Sequence, residues 1–188
     1  MDILGKLLGN PNRVKTIRLF LFNPDLALTA KDVAKRSKVS LALIRKELRG
    51  LRESGFIKEK RSVRGGYQLN KEFPFQAQLR ILFNVEVFEN REKIVKRFKN
   101  CGRIRSLIIS GIFLEDGDGK VDLVVIGDKL KRTPIENAVR AIEAEIGKEL
   151  TYAVLETKDF IYRLHSGDKF VRDVLDFEHK RLIDKLVF

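Results

Sequence analysis

The chain has 188 residues, 44% hydrophobic and 34% charged, which is the composition of a folded protein of one large or two small domains with no disordered tail. Its formal net charge of +12 points to a polyanionic partner or an anionic lipid surface. The single cysteine, Cys101, excludes an intrachain disulfide and a zinc-finger spacing, and His165 and His179 form no metal-binding pattern with it.

The longest apolar runs, 107–114 and 121–127, fall far short of the roughly 20 residues of a membrane span. The opening segment is too short, and too acidic at Asp2, for a secretory signal, so a cytoplasmic protein is expected. The charge is unevenly spread. Residues 1–73 hold 17 Lys+Arg against 7 Asp+Glu, whereas residues 74–188 hold 21 against 19. Such asymmetry marks the first part of the chain as a candidate reader of nucleic acid.

In chain order, Val14, Ile17, Leu19, Phe20 and Leu21 predict a partly buried helix over 12–22, stopped by Asn23-Pro24-Asp25. Residues 26–28 suit a short strand. Thr29, with Asp32 three residues on, caps a second helix, and Val33 and Ala34 face inward. Ser37-Lys38-Val39 forms a turn, and Ser40 caps a third helix over 41–54. Ile44, Leu48 and Leu51 give that helix a buried stripe. Ala42, Leu43, Arg45, Lys46, Arg49 and Arg52 lie mainly outside it. A recognition helix needs this division, because one face packs on its domain while the other enters a major groove about 12 Å wide.

Gly55 ends the helix, and strands over 56–60 and 67–70 flank Arg61-Ser62-Val63-Arg64-Gly65-Gly66. Lys58, Lys60, Arg61 and Arg64 load this hairpin with charge fit for phosphates or a minor groove. The candidate DNA-binding residues are therefore Ser40, Ala42, Leu43, Arg45, Lys46 and Arg49 on the helix, and Lys58, Lys60, Arg61 and Arg64 on the hairpin.

The run 37–70 resembles the winged-helix transcriptional regulators related to the ArsR and MarR families, over about residues 10–73. The resemblance implies a helix-turn-helix with a basic wing that binds double-stranded DNA, as a homodimer on paired half-sites. The Cys and His ligands of an ArsR-type metal sensor are missing.

Phe73-Pro74-Phe75 marks a boundary, followed by connecting helices over 76–83 and 92–100. Strands are predicted over 106–114 and 121–126, joined by the loop EDGDGK, which contains Asp116 and Asp118. A helix over 135–146 stopped by Gly147, a strand over 150–155, a helix capped by Thr157, a helix over 170–177 and a final strand over 181–187 complete a small mixed α/β domain. The expected class is α+β: a winged helix at 1–73, connecting helices at 74–100, and the mixed domain at 101–188.

The segment SGIFLEDGDGKVDLVVIGD, with the helix and strand that follow, resembles the minimal nucleotidyltransferase domain fused behind winged helices in some prokaryotic regulators. In that family a Gly-Ser pair holds the nucleotide phosphates and an Asp-x-Asp pair binds a divalent metal. Here the first pair maps, reversed, onto Ser110 and Gly111. Asp122 matches the second aspartate, and Lys120 replaces the first. An ammonium in that place removes a hard oxygen ligand and repels the cation. The four residues are thus read as a vestigial nucleotide site, with no catalytic residue, bound metal or cofactor expected, while Lys120 could still meet a phosphate.

The leading expectation is a DNA-binding transcriptional regulator whose inactive C-terminal domain serves assembly or effector sensing. Two alternatives stand beside it: an active nucleotidyltransferase with a winged-helix targeting arm, and a protein-interaction adaptor.

Overall fold

A computed structural model describes residues 3–60, 62–89, 91–114 and 120–186, with backbone alone for 84–89 and 91. Arg61, the loop aspartates Asp116 and Asp118, and Val187 lie outside the described residues. By its internal contacts the chain divides into two compact units: Met1–Glu89 with Ala141–Glu149, and Asn90–Arg140 with Leu150–Phe188.

The first unit opens with α1 (Ile3–Leu7), a short helix the sequence pattern does not announce, then α2 (Pro11–Leu21), β1 (Leu28–Thr29), α3 (Ala30–Ser37), α4 (Leu41–Glu53), β2 (Ile57–Lys60), β3 (Gly66–Leu69) and α5 (Gln76–Glu89). Its three strands pair antiparallel in the order β1-β3-β2. Val14, Phe20, Val33, Ile44, Leu48 and Phe83, buried with their neighbours, form one apolar core. Each such side chain contributes about 1.5–3 kcal/mol by leaving water.

Local chemistry sets the ends of these helices. Thr29 and Asp32 form a complete capping box: the Asp32 N–H donates to the Thr29 hydroxyl at 3.3 Å, and the Thr29 N–H donates to Asp32 Oδ2 at 2.9 Å. The Thr29 hydroxyl and N–H together hold the Asp32 carboxyl below its ordinary pKa. α3 ends on Lys38 in the left-handed conformation, φ 54°. Ser40 occupies the N-cap of α4 through its backbone: its carbonyl accepts the Ile44 N–H at 3.0 Å, while its hydroxyl makes no capping bond. α4 ends in a Schellman turn, with the Gly55 N–H on Arg52 O and the Phe56 N–H on Leu51 O. Gly55 supplies the positive φ this closure requires. Among the described residues of the wing only Gly65 has a positive φ. Gly66 is small for a different reason, since a Cβ there would lie 2.8 Å from the Val63 side chain.

The placement of α4 depends on a buried carboxylate. Glu47 is 4% exposed and receives Asn10 Nδ2 at 2.9 Å on one oxygen and Arg13 Nε at 2.7 Å on the other. The same Asn10 amide caps α2, its oxygen accepting the Arg13 N–H at 3.0 Å. Gly50, one turn beyond Glu47, lies beside the guanidinium, where a Cβ would meet Arg13 Nη2 at an ordinary contact distance of 3.4 Å. Burial pushes the Glu47 pKa up, but the bonds from Asn10 and Arg13 outweigh it and leave the carboxyl below its ordinary 4.5.

Residues 141–149 belong to this unit as well. Arg18 Nη1 donates to Glu145 O at 2.9 Å, Asn23 Nδ2 donates to Gly147 O at 2.6 Å, and Arg36 pairs with Glu149 at 2.9 Å.

The second unit holds α6 (Arg91–Arg97), β4 (Arg103–Ile109), β5 (Leu123–Asp128), the first part of α7 (Arg132–Ile146), β6 (Tyr152–Glu156), α8 (Thr157–His165), α9 (Lys169–Asp176) and β7 (Lys180–Asp184). The sheet order is β6-β5-β4-β7, with β5-β6 parallel and the other pairs antiparallel. β5 is buried on both faces, which explains its unbroken apolar run. Ile108, Val124 and Ile126 on one face pack with Phe160, Val171 and Val174 of α8 and α9.

The strand expected over 106–114 is shorter and earlier than its apolar run suggests. β4 stops at Ile109 because Gly111 takes φ 53° and turns the chain into a 3-10 helix, Gly111–Phe113, that keeps Phe113 buried. The last strand likewise begins and ends earlier than predicted, at Lys180 and Asp184.

Gly55 and Gly147 both have positive φ, but a Cβ on Gly147 would meet Leu19 N at 2.7 Å whereas one on Gly55 meets nothing within 4 Å. Gly55→Ala is expected to lose about 1–2 kcal/mol from backbone strain alone. Gly147→Ala is expected to lose a further ~1–3 kcal/mol by overpacking against α2, read from denaturant midpoints. Glu47→Gln, which keeps one acceptor oxygen but sets an amide NH2 against the other of the two donors, should lower stability by about 1–3 kcal/mol at neutral pH. The Glu47 pKa is depressed in the folded state, so its stabilisation is complete above the ordinary 4.5 and disappears as pH falls through the lower folded value. The gap between wild type and Glu47→Gln in urea denaturation should therefore close in acid.

Candidate nucleic-acid interface

The helix-turn-helix of α3 and α4 presents the surface the sequence predicts. Ile44, Glu47, Leu48 and Leu51 are buried, while Ala42, Leu43, Arg45, Lys46 and Arg49 are exposed. Helical spacing places Ala42, Arg45, Lys46 and Arg49 on one arc opposite the buried stripe, with Leu43 at its margin. Ser40, exposed at the start of α4 with its hydroxyl free of a capping bond, joins this end of the surface.

The wing is braced against the far end of the helix. Arg52 Nη1 reaches Glu59 Oε1 at 2.5 Å, which holds the guanidinium above its ordinary pKa. Glu59 pairs with Tyr67 across the β2–β3 ladder, and Lys58 and Lys60 with Gln68 and Gly66. Because side chains alternate along a strand, Lys58 and Lys60 share the face opposite Ile57 and Glu59. They therefore lie on the side of the hairpin away from the brace to α4. Arg64 is exposed near the hairpin turn.

Sequence patterns alone do not single out Glu47, Asn10 and Arg13, which fix the helix that carries the basic arc. A signal is present: Glu47 flanks the inward arc defined by Ile44, Leu48 and Leu51, at its edge, where a buried carboxylate requires a partner. The partner lies at the start of α2, at a distance in sequence that no local pattern spans.

In the second unit the four residues expected from the sequence to mark a nucleotide site are engaged by their own chain. The Ser110 hydroxyl donates to Glu178 O at 2.6 Å. Gly111 provides the turn out of β4. Asp122 uses both carboxylate oxygens on backbone, accepting the Ile112 N–H at 2.9 Å and the Thr151 N–H at 2.8 Å. Lys120 Nζ meets Asp173 Oδ2 at 2.7 Å, and this bond holds the Asp173 carboxyl below its usual range. Ser110 and Lys120 line a cavity of about 30 Å³ with Asp173 and Phe177, an order of magnitude below the several hundred Å³ of a typical small-molecule site.

Residues 16–106 match the Rrf2 family model, described as an iron-dependent transcriptional regulator. The matched stretch runs from within α2 through α3, α4, the wing and α5 into β4. No curated protein and no solved structure matches the chain. The match is to Rrf2 and not to ArsR or MarR, and it supports the broader resemblance to winged-helix transcriptional regulators.

The residues present do not fit protein-held iron. Iron sites are built from sets of thiolate, imidazole or carboxylate ligands. Cys101 is the chain's one cysteine, is 1% exposed, and has its thiol pKa pushed up by burial. Among the described residues no group of three His, Cys, Asp or Glu is placed to hold a metal ion. None of the described helices is long and apolar enough to cross a membrane. With its helix pair, basic hairpin and three-stranded sheet, the stretch 16–106 is similar to the winged-helix domain of Rrf2 transcriptional regulators.

Proposed function

We propose that this protein is a cytoplasmic DNA-binding regulator that reads an operator through α4 and touches the flanking backbone through its wing, as a homodimer and without iron. The observation that carries the reading is the exposed arc Ala42, Arg45, Lys46 and Arg49, held outward by the buried Glu47 beneath it. Arg and Lys on such an arc bond guanine edges or phosphates, and Ala42 and Leu43 suit thymine methyls. Lys58, Lys60, Arg61 and Arg64 supply the phosphate contacts of the wing.

Dimerisation has a candidate surface in α5, where Ile81 is 68% and Leu82 46% exposed, with Phe75 just before the helix at 60%. Two copies would present two recognition helices to half-sites about one helical turn apart. The second unit, read as nucleotidyltransferase-like, serves assembly or effector sensing without catalysis. The engagement of Asp122 by two backbone amides and of Lys120 by Asp173 supports that assignment.

Selection from a random DNA pool at about 150 mM salt, where purely phosphate-driven binding is weakened, should return a motif with two related half-sites. A pool without enrichment would overturn the reading. Replacing Arg45 and Arg49 together by alanine should weaken specific binding by ~1–3 kcal/mol for each side chain that bonds a base edge. For each that bonds a phosphate instead, the salt dependence should flatten by about 1. Affinity for the selected site, measured with ferrous iron and then with a chelator, should be the same. A change on chelation would show an iron response that Cys101 and the two histidines do not explain.

A further inference from the structure

The two edges of the second unit's sheet differ in kind. β7, at one edge, is interrupted by a register shift against β4 between Leu107 and Ile108, and carries Lys180, Arg181 and Asp184. Bulges and charges of this sort keep a sheet edge from pairing with another chain. β6, at the other edge, runs in unbroken parallel register with β5 from Tyr152 to Glu156 and bears one charged residue, Glu156.

The Leu123 N–H donates to Thr151 O, so alternate residues from 151 turn their backbone toward β5. Tyr152, Val154 and Glu156 then direct their N–H and C=O groups to the open edge. Their side chains share one face, where Tyr152 is 38% and Val154 40% exposed. Beside them lies a groove of about 510 Å³, continued by Leu130 and Ile135.

The charge of this groove opposes that of the chain as a whole. Its charged residues are Arg132, Glu136, Glu156 and Asp159, a balance of −2 within a protein of +12. Arg132 is already bonded to Glu136 at 2.8 Å. A second copy paired edge to edge about a two-fold axis through Val154 would set Glu156 of each copy opposite Tyr152 of the other and bring no cation to the acidic groups. A basic strand supplies that cation.

We propose that the open edge of β6 is a docking site for an extended segment of a partner protein in which Lys or Arg alternates with apolar residues, added to the sheet as a fifth strand. Main-chain bonds to Tyr152, Val154 and Glu156 supply the pairing, as in other cases of strand addition. On the groove face each basic side chain lays its methylene stem along Tyr152 and Val154 and brings its charge to Glu156 and Asp159. The apolar residues of the incoming strand turn to the opposite face, beside Ala153 and Leu155.

The test uses the isotope-labelled full chain titrated with a short synthetic peptide alternating lysine and valine, and with its counterpart alternating glutamate and valine. The lysine peptide should shift amide resonances of 130–136 and 152–156 and bind at least about tenfold more tightly than the glutamate peptide. Val154→Pro removes an edge N–H without touching the ladder to β5, a position where proline is tolerated, and should abolish binding with the remaining amide spectrum unchanged. The double variant Glu156→Lys, Asp159→Lys keeps the edge intact and should reverse the preference between the two peptides. Equal binding of both peptides, no binding of either, or a Val154→Pro effect on self-association alone would overturn the proposal.

Discussion

Glu47 is the constraint on which the exposed basic arc of α4 depends. A carboxylate beneath α4 is an expensive group to bury, and it is tolerated because two donors from the start of α2 meet its two oxygens. The arrangement sets both the rotation and the depth of α4, since neither oxygen can move without leaving a donor unmet. Two unrelated choices in the sequence serve it: an asparagine that also caps α2, and an arginine one turn in.

In the second unit a carboxylate performs the opposite service. Asp122 faces two backbone amides at the junction of a 3-10 turn, the start of β5 and the segment leading into β6. It ties three stretches of chain together where strand pairing has not yet begun or has just ended. Lys120 is likewise used by a neighbouring helix through Asp173. Residues whose spacing resembles a phosphoryl-transfer motif are here absorbed by the needs of the backbone.

The sequence is most legible where structure is local. The capping of α3 by Thr29 and Asp32, the glycine closure of α4, and the stripe of Ile44, Leu48 and Leu51 each follow from side chains within a few positions of one another. It is least legible where a distant partner decides. Glu47 reads as one more charge on a polar helix until Asn10 and Arg13 are brought beside it. The apolar run after Ser106 reads as one long strand, because a buried 3-10 turn needs the same hydrophobic residues and only the sign of φ at Gly111 separates the two. The Arg52–Glu59 brace links helix to wing across a turn, so the two charges look like ordinary surface residues.

The segment 141–149 bears on how the protein comes into being. Arg18 and Asn23 find carbonyl partners at Glu145 and Gly147, more than a hundred residues later in the chain. A ribosome making this protein must therefore pass through the β4–β5 hairpin and most of α7 before the first unit can close. Loop-closure entropy of that length slows folding far more than it lowers the final stability. During synthesis α4 exists for a time on a unit whose last bonds have not been made.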